Sequence, residues 1–317
     1  MSKPMVIIDT DCGVDDALAI MLAAFCQKQN KLDIKAITCT HGNTSCTNVT
    51  KNVALTLRAM DLKNIKIYKG CESPTIGPFI NDEYYGKDGL GDSTKDMPPI
   101  DVHVEAEHAV NALIRLAKEN HKQITLIALG PLTNIGLAYL MDNQFFDNLR
   151  DIVYLGGTID FGGNMTPAQE FNVMRDPEAC HIMLNNAKCP ITIVPIECGL
   201  TNLLTWDIYD KIIALDNDKA KFVKLITNME YKRVHPGFKG LIMADTLTVL
   251  AFAYQEFIVT KQSIKTSVEL NGENTRGQLV LDKRHGFDYQ PTKWPNVTFI
   301  THFDQSKFMQ LLIDFLK

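Results

Sequence analysis

The amino-acid sequence predicts an α/β protein: a single domain on a mainly parallel, doubly wound, Rossmann-like sheet, with additional C-terminal helices and a β-ribbon. Two observations predict it. Short β-rich runs alternate with longer runs of helical period through the first two thirds of the chain, the pattern of successive βαβ units. No Pro/Gly/Ser-rich linker, internal repeat or low-complexity tract divides the 317 residues, so one domain spanning 1–317 is expected.

Each element follows from its residues. Val6-Ile7-Ile8 reads as a buried strand, and residues 17–23 as the helix after a Gly-containing turn. Residues 34–40 are strand-like, 48–60 carry apolar positions near i, i+3 and i+4, and 65–68 read as a third strand. A stretch rich in Gly, Pro, Asp and Asn, residues 70–99, is irregular and long enough to be a lid over a site. Residues 104–119 read as helix, 124–128 as strand, 132–141 as helix and 152–155 as a strand ending in Gly156-Gly157. Residues 177–185 read as helix and 191–195 as strand. From 206 to 253 the period is helical, and 263–280 read as a β-ribbon around Asn271-Gly272. In such a fold the site is expected at the carboxyl ends of the strands.

Composition excludes several classes. A hydrophobic fraction of 45% is too high for a disordered chain, and 19 Gly with 13 Pro are too few for a low-complexity or collagen-like one. Net charge is −5 and the 32 basic residues are dispersed, which argues against a nucleic-acid partner. The first apolar run is too short for a signal peptide or a membrane span, so a cytoplasmic location is expected, with no membrane partner. The eight cysteines contain no C-x-x-C pair and read as free thiols.

The segment Asp9-Thr10-Asp11-Cys12-Gly13-Val14-Asp15-Asp16-Ala17 lies where the first strand turns into the first helix. Four carboxylates within eight residues at a partly buried strand end repel one another, at a cost of several kcal/mol without a cation. Capping of the helix by Asp15 and Asp16 explains one or two of them but not the strand-end pair. The donors are oxygens apart from Cys12, which points to Ca²⁺ or Mg²⁺ rather than zinc, and a mixed donor set suits Ca²⁺ better. Two further segments could complete such a site: the Leu129-Gly130-Pro131-Leu132-Thr133-Asn134 turn and Asp245, although the residues around Asp245 taken alone favour a plain N-cap.

These residues resemble the aspartate-cluster signature of the nucleoside hydrolases, the inosine-uridine-preferring ribohydrolase family, in the branch with cysteine in the motif. Further segments match in order: His41-Gly42-Asn43, the Gly86 to Gly91 loop, Gly130 to Asn134, Gly163-Asn164, Glu170-Phe171-Asn172, Asp176-Pro177-Glu178-Ala179 and Asp245. The resemblance runs from about residue 3 to the C-terminal helix. It implies Ca-dependent hydrolysis of the N-glycosidic bond of ribonucleosides, giving free base and ribose. It implies a Ca²⁺ held by Asp11, Asp16, the Leu129 carbonyl and Asp245, with Asp11 also the general base. Asp15 and Asn43 would bind the sugar diol, Asn164, Glu170 and Asn172 its 5′ end, Phe171 its apolar side, and Asp9 would orient the cluster. A homodimer or homotetramer is implied as well.

The chain departs from the best-known branch at two positions. Ala244 stands where that branch has a leaving-group histidine, and Tyr85 where it often has another. Tyr85 is therefore the candidate for activating the departing base; Tyr231, His235, or ring stacking with protonation by solvent are alternatives. Cys12, between two acids, reads as structural. Cys39, His41 and Cys46 could form a soft-metal site, but no fourth ligand is evident. Two other functions compete. The Asp-x-Asp opening resembles haloacid-dehalogenase-type phosphatases, which need Thr or Val where this chain has Gly13. A non-catalytic nucleoside- or ribose-binding protein is the other.

Overall fold

Val6, Ile7 and Ile8 have no exposed surface, and their alternation builds the molecule: Val6 and Ile8 enter one apolar layer and Ile7 the other. Burial of this kind is worth roughly 1.5–3 kcal/mol for each large aliphatic side chain. The computed structural model describes residues 3–160, 162–284 and 292–317. In chain order the elements are β1 (Met5–Thr10), α1 (Val14–Lys28), β2 (Asp33–Cys39), α2 (Cys46–Ala59), β3 (Ile67–Lys69), α3 (Ala109–Glu119), β4 (Ile124–Ala128), α4 (Thr133–Met141) and β5 (Asp151–Leu155). There follow α5 (Phe171–Arg175), α6 (Pro177–Asn186), β6 (Ile191–Val194), α7 (Ile196–Thr201), β7 (Leu204–Thr205), α8 (Trp206–Ile213), α9 (Asp218–Val234), β8 (Gly240–Leu241) and α10 (Ala244–Ala253). The chain ends with β9 (Ile258–Val268), β10 (Leu279–Asp282), β11 (Asn296–Phe303) and α11 (Gln305–Leu316).

One sheet runs β10-β9-β11-β6-β5-β4-β1-β2-β3. The strands from β3 to β6 and β11 are parallel, and β9 and β10 add an antiparallel edge. The parallel part has the doubly wound order 3-2-1-4-5-6, whose direction of winding reverses between β1 and β4. One helical layer holds α1, α2, α8, α9, α10 and α11 against Val6 and Ile8, and the other holds α3, α4 and α6 against Ile7. No helix among the described residues is long and apolar enough to cross a membrane. All eight cysteines are unpaired.

Caps set several starts: the Ser45 hydroxyl accepts from the Asn48 N–H, Asp176 from Ala179 ahead of α6 with Pro177 at its first position, and Asn217 from Ala220. The predicted helix at 104–119 starts only at Ala109. Its first residues instead form a bridge to the edge strand, with the Glu105 N–H donating to the Ile67 carbonyl at 2.9 Å. The predicted ribbon is real but differently bounded. Glu269 gathers the Asn271 and Gly272 N–H groups, so residues 269–278 make an ordered loop rather than a two-residue turn. The partner that seats β9 on the sheet is β11, a strand beyond those expected, which pairs with β9 on one side and with β6 on the other. The predicted helical stretch 206–253 contains α8, α9 and α10, interrupted by the β7–β8 pair.

Residues 70–99 contain a single turn of 3₁₀ helix, Thr94–Asp96. Side chains order the rest: Asp88 accepts from the N–H groups of Leu90, Asp92 and Thr94, and Asp92 from that of Lys87. Gly91, at φ +69°, takes a conformation that side chains rarely adopt, and its neighbour across the gap is the Ile226 carbonyl.

Candidate active site and acidic metal centre

Three structural devices bring the acids together. Asp11 leaves the carboxyl end of β1 beside the end of β4, at the point where the sheet reverses its winding. Asp15 and Asp16 sit in the first turn of α1, and Asp245 in the first turn of α10, which packs along α1. Two helix N-termini therefore direct their positive ends toward one cluster of carboxyl groups. The ligand oxygens of Asp15, Asp16 and Asp245 lie within 4.8 Å of one another.

Asp11 is buried. Its Oδ2 accepts from the Asn43 N–H at 2.7 Å, while Oδ1 has no hydrogen-bond partner. Gly42 and Gly130 press against it: a Cβ on either would stand 2.0 Å from Oδ2 or 2.6 Å from Oδ1. Asp16 accepts from Thr10 Oγ1 at 2.5 Å, the Gly13 N–H at 3.0 Å and Asn43 Nδ2 at 3.1 Å. The Asp15 and Asp245 carboxyls stand close beside each other, a like-charge contact that a shared cation would relieve, and Tyr85 lies beside Asp15. Burial, then the neighbouring acids, push the Asp11 and Asp245 carboxyls well above the usual carboxylate range; burial moves Asp16 up to about 7. Asp9 stands behind the cluster, accepting from Thr38 Oγ1 at 2.6 Å and Asn134 Nδ2 at 2.8 Å.

A pocket of about 390 Å³ opens onto these groups. Every predicted site residue lines it: Asp11, Asp15, Asp16, Asn43, Tyr85, Leu129, Asn164, Glu170, Phe171, Asn172 and Asp245. Six of the lining side chains, with Asp82, are acids, and no Lys, Arg or His lines the pocket among the described residues. Oxygen donors, the partnerless buried Asp11 Oδ1 and Asp245 Oδ1, and the absence of a protein cation together fit a hard metal ion. The Leu129 carbonyl accepts from Asn172 Nδ2 at 2.7 Å and keeps a second lone pair for a ligand.

The wall opposite the cluster is built by α5. Glu170 is its N-cap, accepting from the N–H groups of Asn172, Val173 and Gly157. Asn164 Oδ1 accepts from the Phe171 N–H at 3.0 Å, which ties Asn164 to the helix start. The close metal-ligand group contains Asp15, which the resemblance gives to the sugar, rather than Asp11.

Other expectations resolve in the same region. Tyr231 stacks on Tyr209 at 5.3 Å, and His235 packs on Tyr231 and Trp206 at 4.7 and 5.0 Å; neither lines the pocket. Cys12 is fully buried and its thiol is pushed well above the usual range. His41 Nε2 meets Thr133 Oγ1 at 3.0 Å, burial lowers its pKa to about 4, and no soft-metal group forms with Cys39 and Cys46 among the described residues. Sequence reasoning missed the apolar side chains that complete the mouth: Tyr84, Met165, Ile196, Leu200, Phe238 and Ile242. They come from separate segments without a shared motif.

The comparisons with known proteins agree with this geometry. The chain is 29% identical over 314 residues to the inosine-uridine preferring nucleoside hydrolase of Leishmania major, covering 98% of this chain and 97% of that one. It is 32% identical to the pyrimidine-specific ribonucleoside hydrolase RihA of Shewanella sp. (strain MR-7), covering 100% and 96%. The solved structure of a plant nucleoside hydrolase, the PpNRh1 enzyme, superposes with a TM-score of 0.91 at 27% identity, covering 100% of this chain and 99% of that one. Since residues 6–310 match the family described as inosine-uridine preferring nucleoside hydrolase, the chain belongs to that family of N-glycosyl hydrolases, which cleave nucleosides.

Proposed function

We propose that the chain hydrolyses the N-glycosidic bond of ribonucleosides in a Ca²⁺-dependent reaction, with Asp11 as general base. The observation that carries this reading is Asp11 Oδ1, a buried carboxyl oxygen without a partner at the floor of a pocket lined by six acids. Cleavage builds positive charge on the ribose ring, and carboxylates around the ring stabilise it. Asp11, Asp16, the Leu129 carbonyl and Asp245 would hold the ion. The chemistry such an ion supplies is acidification of the attacking water and fixation of the sugar diol.

The residues do the rest. Asp11 takes a proton from the attacking water. Asp15 and Asn43 hold the diol, and Asn164, Glu170 and Asn172 hold the 5′ end, positioning the ring for attack. Phe171 supports its apolar side. Tyr85, buried at the pocket beside Asp15, would be the candidate donor to the leaving group, with stacking and solvent protonation as the alternative. Attack by water with no covalent sugar intermediate gives inversion at the anomeric carbon. Gly13 stands where the phosphatase motif needs Thr or Val, which disfavours phosphatase activity.

The test is a panel of purine and pyrimidine nucleosides, followed by proton NMR from the first turnover. Free base and α-ribose as the first-formed anomer are expected. Binding of nucleosides without release of ribose over long incubation would leave a binding protein instead. Eight unpaired cysteines support a cytoplasmic location, and exposed Leu140, Met141 and Val259 offer apolar contacts for a homodimer or homotetramer.

A further inference from the structure

Residues 75–82 form an exposed lobe beside the pocket, with Ile76 and Ile80 more than half exposed. Two consecutive residues hold its ends. Asp176 Oδ2 accepts from both the N–H and the hydroxyl of Thr75 at 2.8 Å, and Arg175 Nη2 donates to Asp82 Oδ2 at 2.8 Å. The Arg175 side chain is 10% exposed, its guanidinium lies 4.7 Å from the centre of the Phe171 ring, and Asp82 and Phe171 both line the pocket. Two residues beyond Asp82, a second arginine grips the segment from α9: Arg233 donates to the Tyr84 carbonyl at 2.5 Å and lies 3.7 Å over the Tyr84 ring. Tyr84 in turn meets Tyr85 edge to face at 4.8 Å.

We infer that Arg175 and Arg233 are positioning residues that latch segment 82–85 across the pocket mouth from opposite sides, setting Tyr85 and the Phe171 ring for substrate. The inference rests on reading the pocket as the nucleoside site. Its physical basis is charge as well as shape. Asp82 is one of six acids around the pocket, and Arg175 is its cationic partner. Without that partner, like-charge repulsion drives the segment outward and the Phe171 ring loses the cation above it.

The test compares wild type, Arg175→Gln, Arg233→Gln and the charge exchange Arg175→Asp with Asp82→Arg. Backbone hydrogen exchange of residues 82–86 in the free protein is read beside KM and kcat on a nucleoside the wild type cleaves, or Kd for a nucleoside it only binds. Each single variant should speed exchange there about tenfold and raise KM or Kd about tenfold, with kcat less affected, and the charge exchange should recover most of both. A general loss of folded protein would lower apparent kcat and leave KM unchanged. Wild-type exchange at 82–86, or faster exchange with unchanged KM or Kd, would overturn the latch. A wild type that binds but does not cleave nucleosides would overturn the proposed reaction and leave the exchange measurement decisive for the latch.

Discussion

The surroundings of Asp11, the proposed general base, leave one of its oxygens without a protein partner. Oδ2 is committed to the Asn43 N–H, Oδ1 is partnerless, and glycine backbones close on both. Replacing Asp11 by Ala should lower kcat by about 10²- to 10⁴-fold, the range of a lost general base, while the circular dichroism spectrum stays that of the wild type. Gly42→Ala tests the fit rather than the group. Its Cβ would fall 2.0 Å from Oδ2, so Asp11 must shift, and a displacement near 1 Å should reduce kcat/KM by as much as ~10²-fold. At this scale much was legible in the sequence. Like charges packed into one strand-to-helix turn demand a compensating ligand, and the matching motifs named Asn43, Asn164, Glu170, Phe171, Asn172 and Asp245. The close grouping of Asp15 with Asp245 was not legible, because it depends on the packing of α10 along α1, whose first turns are more than two hundred residues apart in sequence.

At the scale of elements, the site is a meeting of strand ends, helix starts and two long loops. Helix α5 is only five residues, too short for a periodic signal, and stands because Glu170 accepts three backbone N–H groups around its start. Glu170→Ala should therefore cost at least ~1 kcal/mol of stability, measured by urea denaturation, and weaken discrimination between nucleosides and their 5′-deoxy analogues. A stability loss with unchanged discrimination would restrict Glu170 to its capping role. Strands with continuous apolar runs, such as β1 and β4, were legible; β11 has the Val, Thr, Phe and Ile of a strand, but nothing local places it between β6 and β9, its partners being distant in sequence. The start of α3 differs from the expected one for a related reason: the bridge between Glu105 and the edge strand is a tertiary contact that overrides local period.

For the whole molecule, a doubly wound sheet lets acids from positions 11 to 245 share one pocket, so its two ends cannot fold apart without dismantling the site. We propose that residues 1–317 unfold as one unit, with a single calorimetric transition. Ca²⁺ at a hundredfold excess over its Kd should raise the stability by about 2.7 kcal/mol. The buried acids also set a pH dependence. Burial, followed by the charge on Asp15, raises the Glu230 carboxyl from 4.5 to about 8, with Arg233 opposing. Between these values the folded chain keeps a proton that the unfolded chain has released, so stability is full below about 4.5 and falls as pH rises through 8. Chelated protein should be less stable at pH 8 than at pH 5, by about 1 kcal/mol or more from this group alone, and Glu230→Gln should flatten that slope. An unchanged slope in Glu230→Gln would remove Glu230 from the explanation.

The central claim, that a hard cation and Asp11 act together in cleaving nucleosides, is tested most directly by ribose release from chelated protein titrated with Ca²⁺, wild type beside Asp11→Asn. Wild-type turnover should rise saturably from background, with Asp11→Asn on the order of 10²-fold or more below it at every concentration. Turnover indifferent to the cation, or equal in the two proteins, would contradict it.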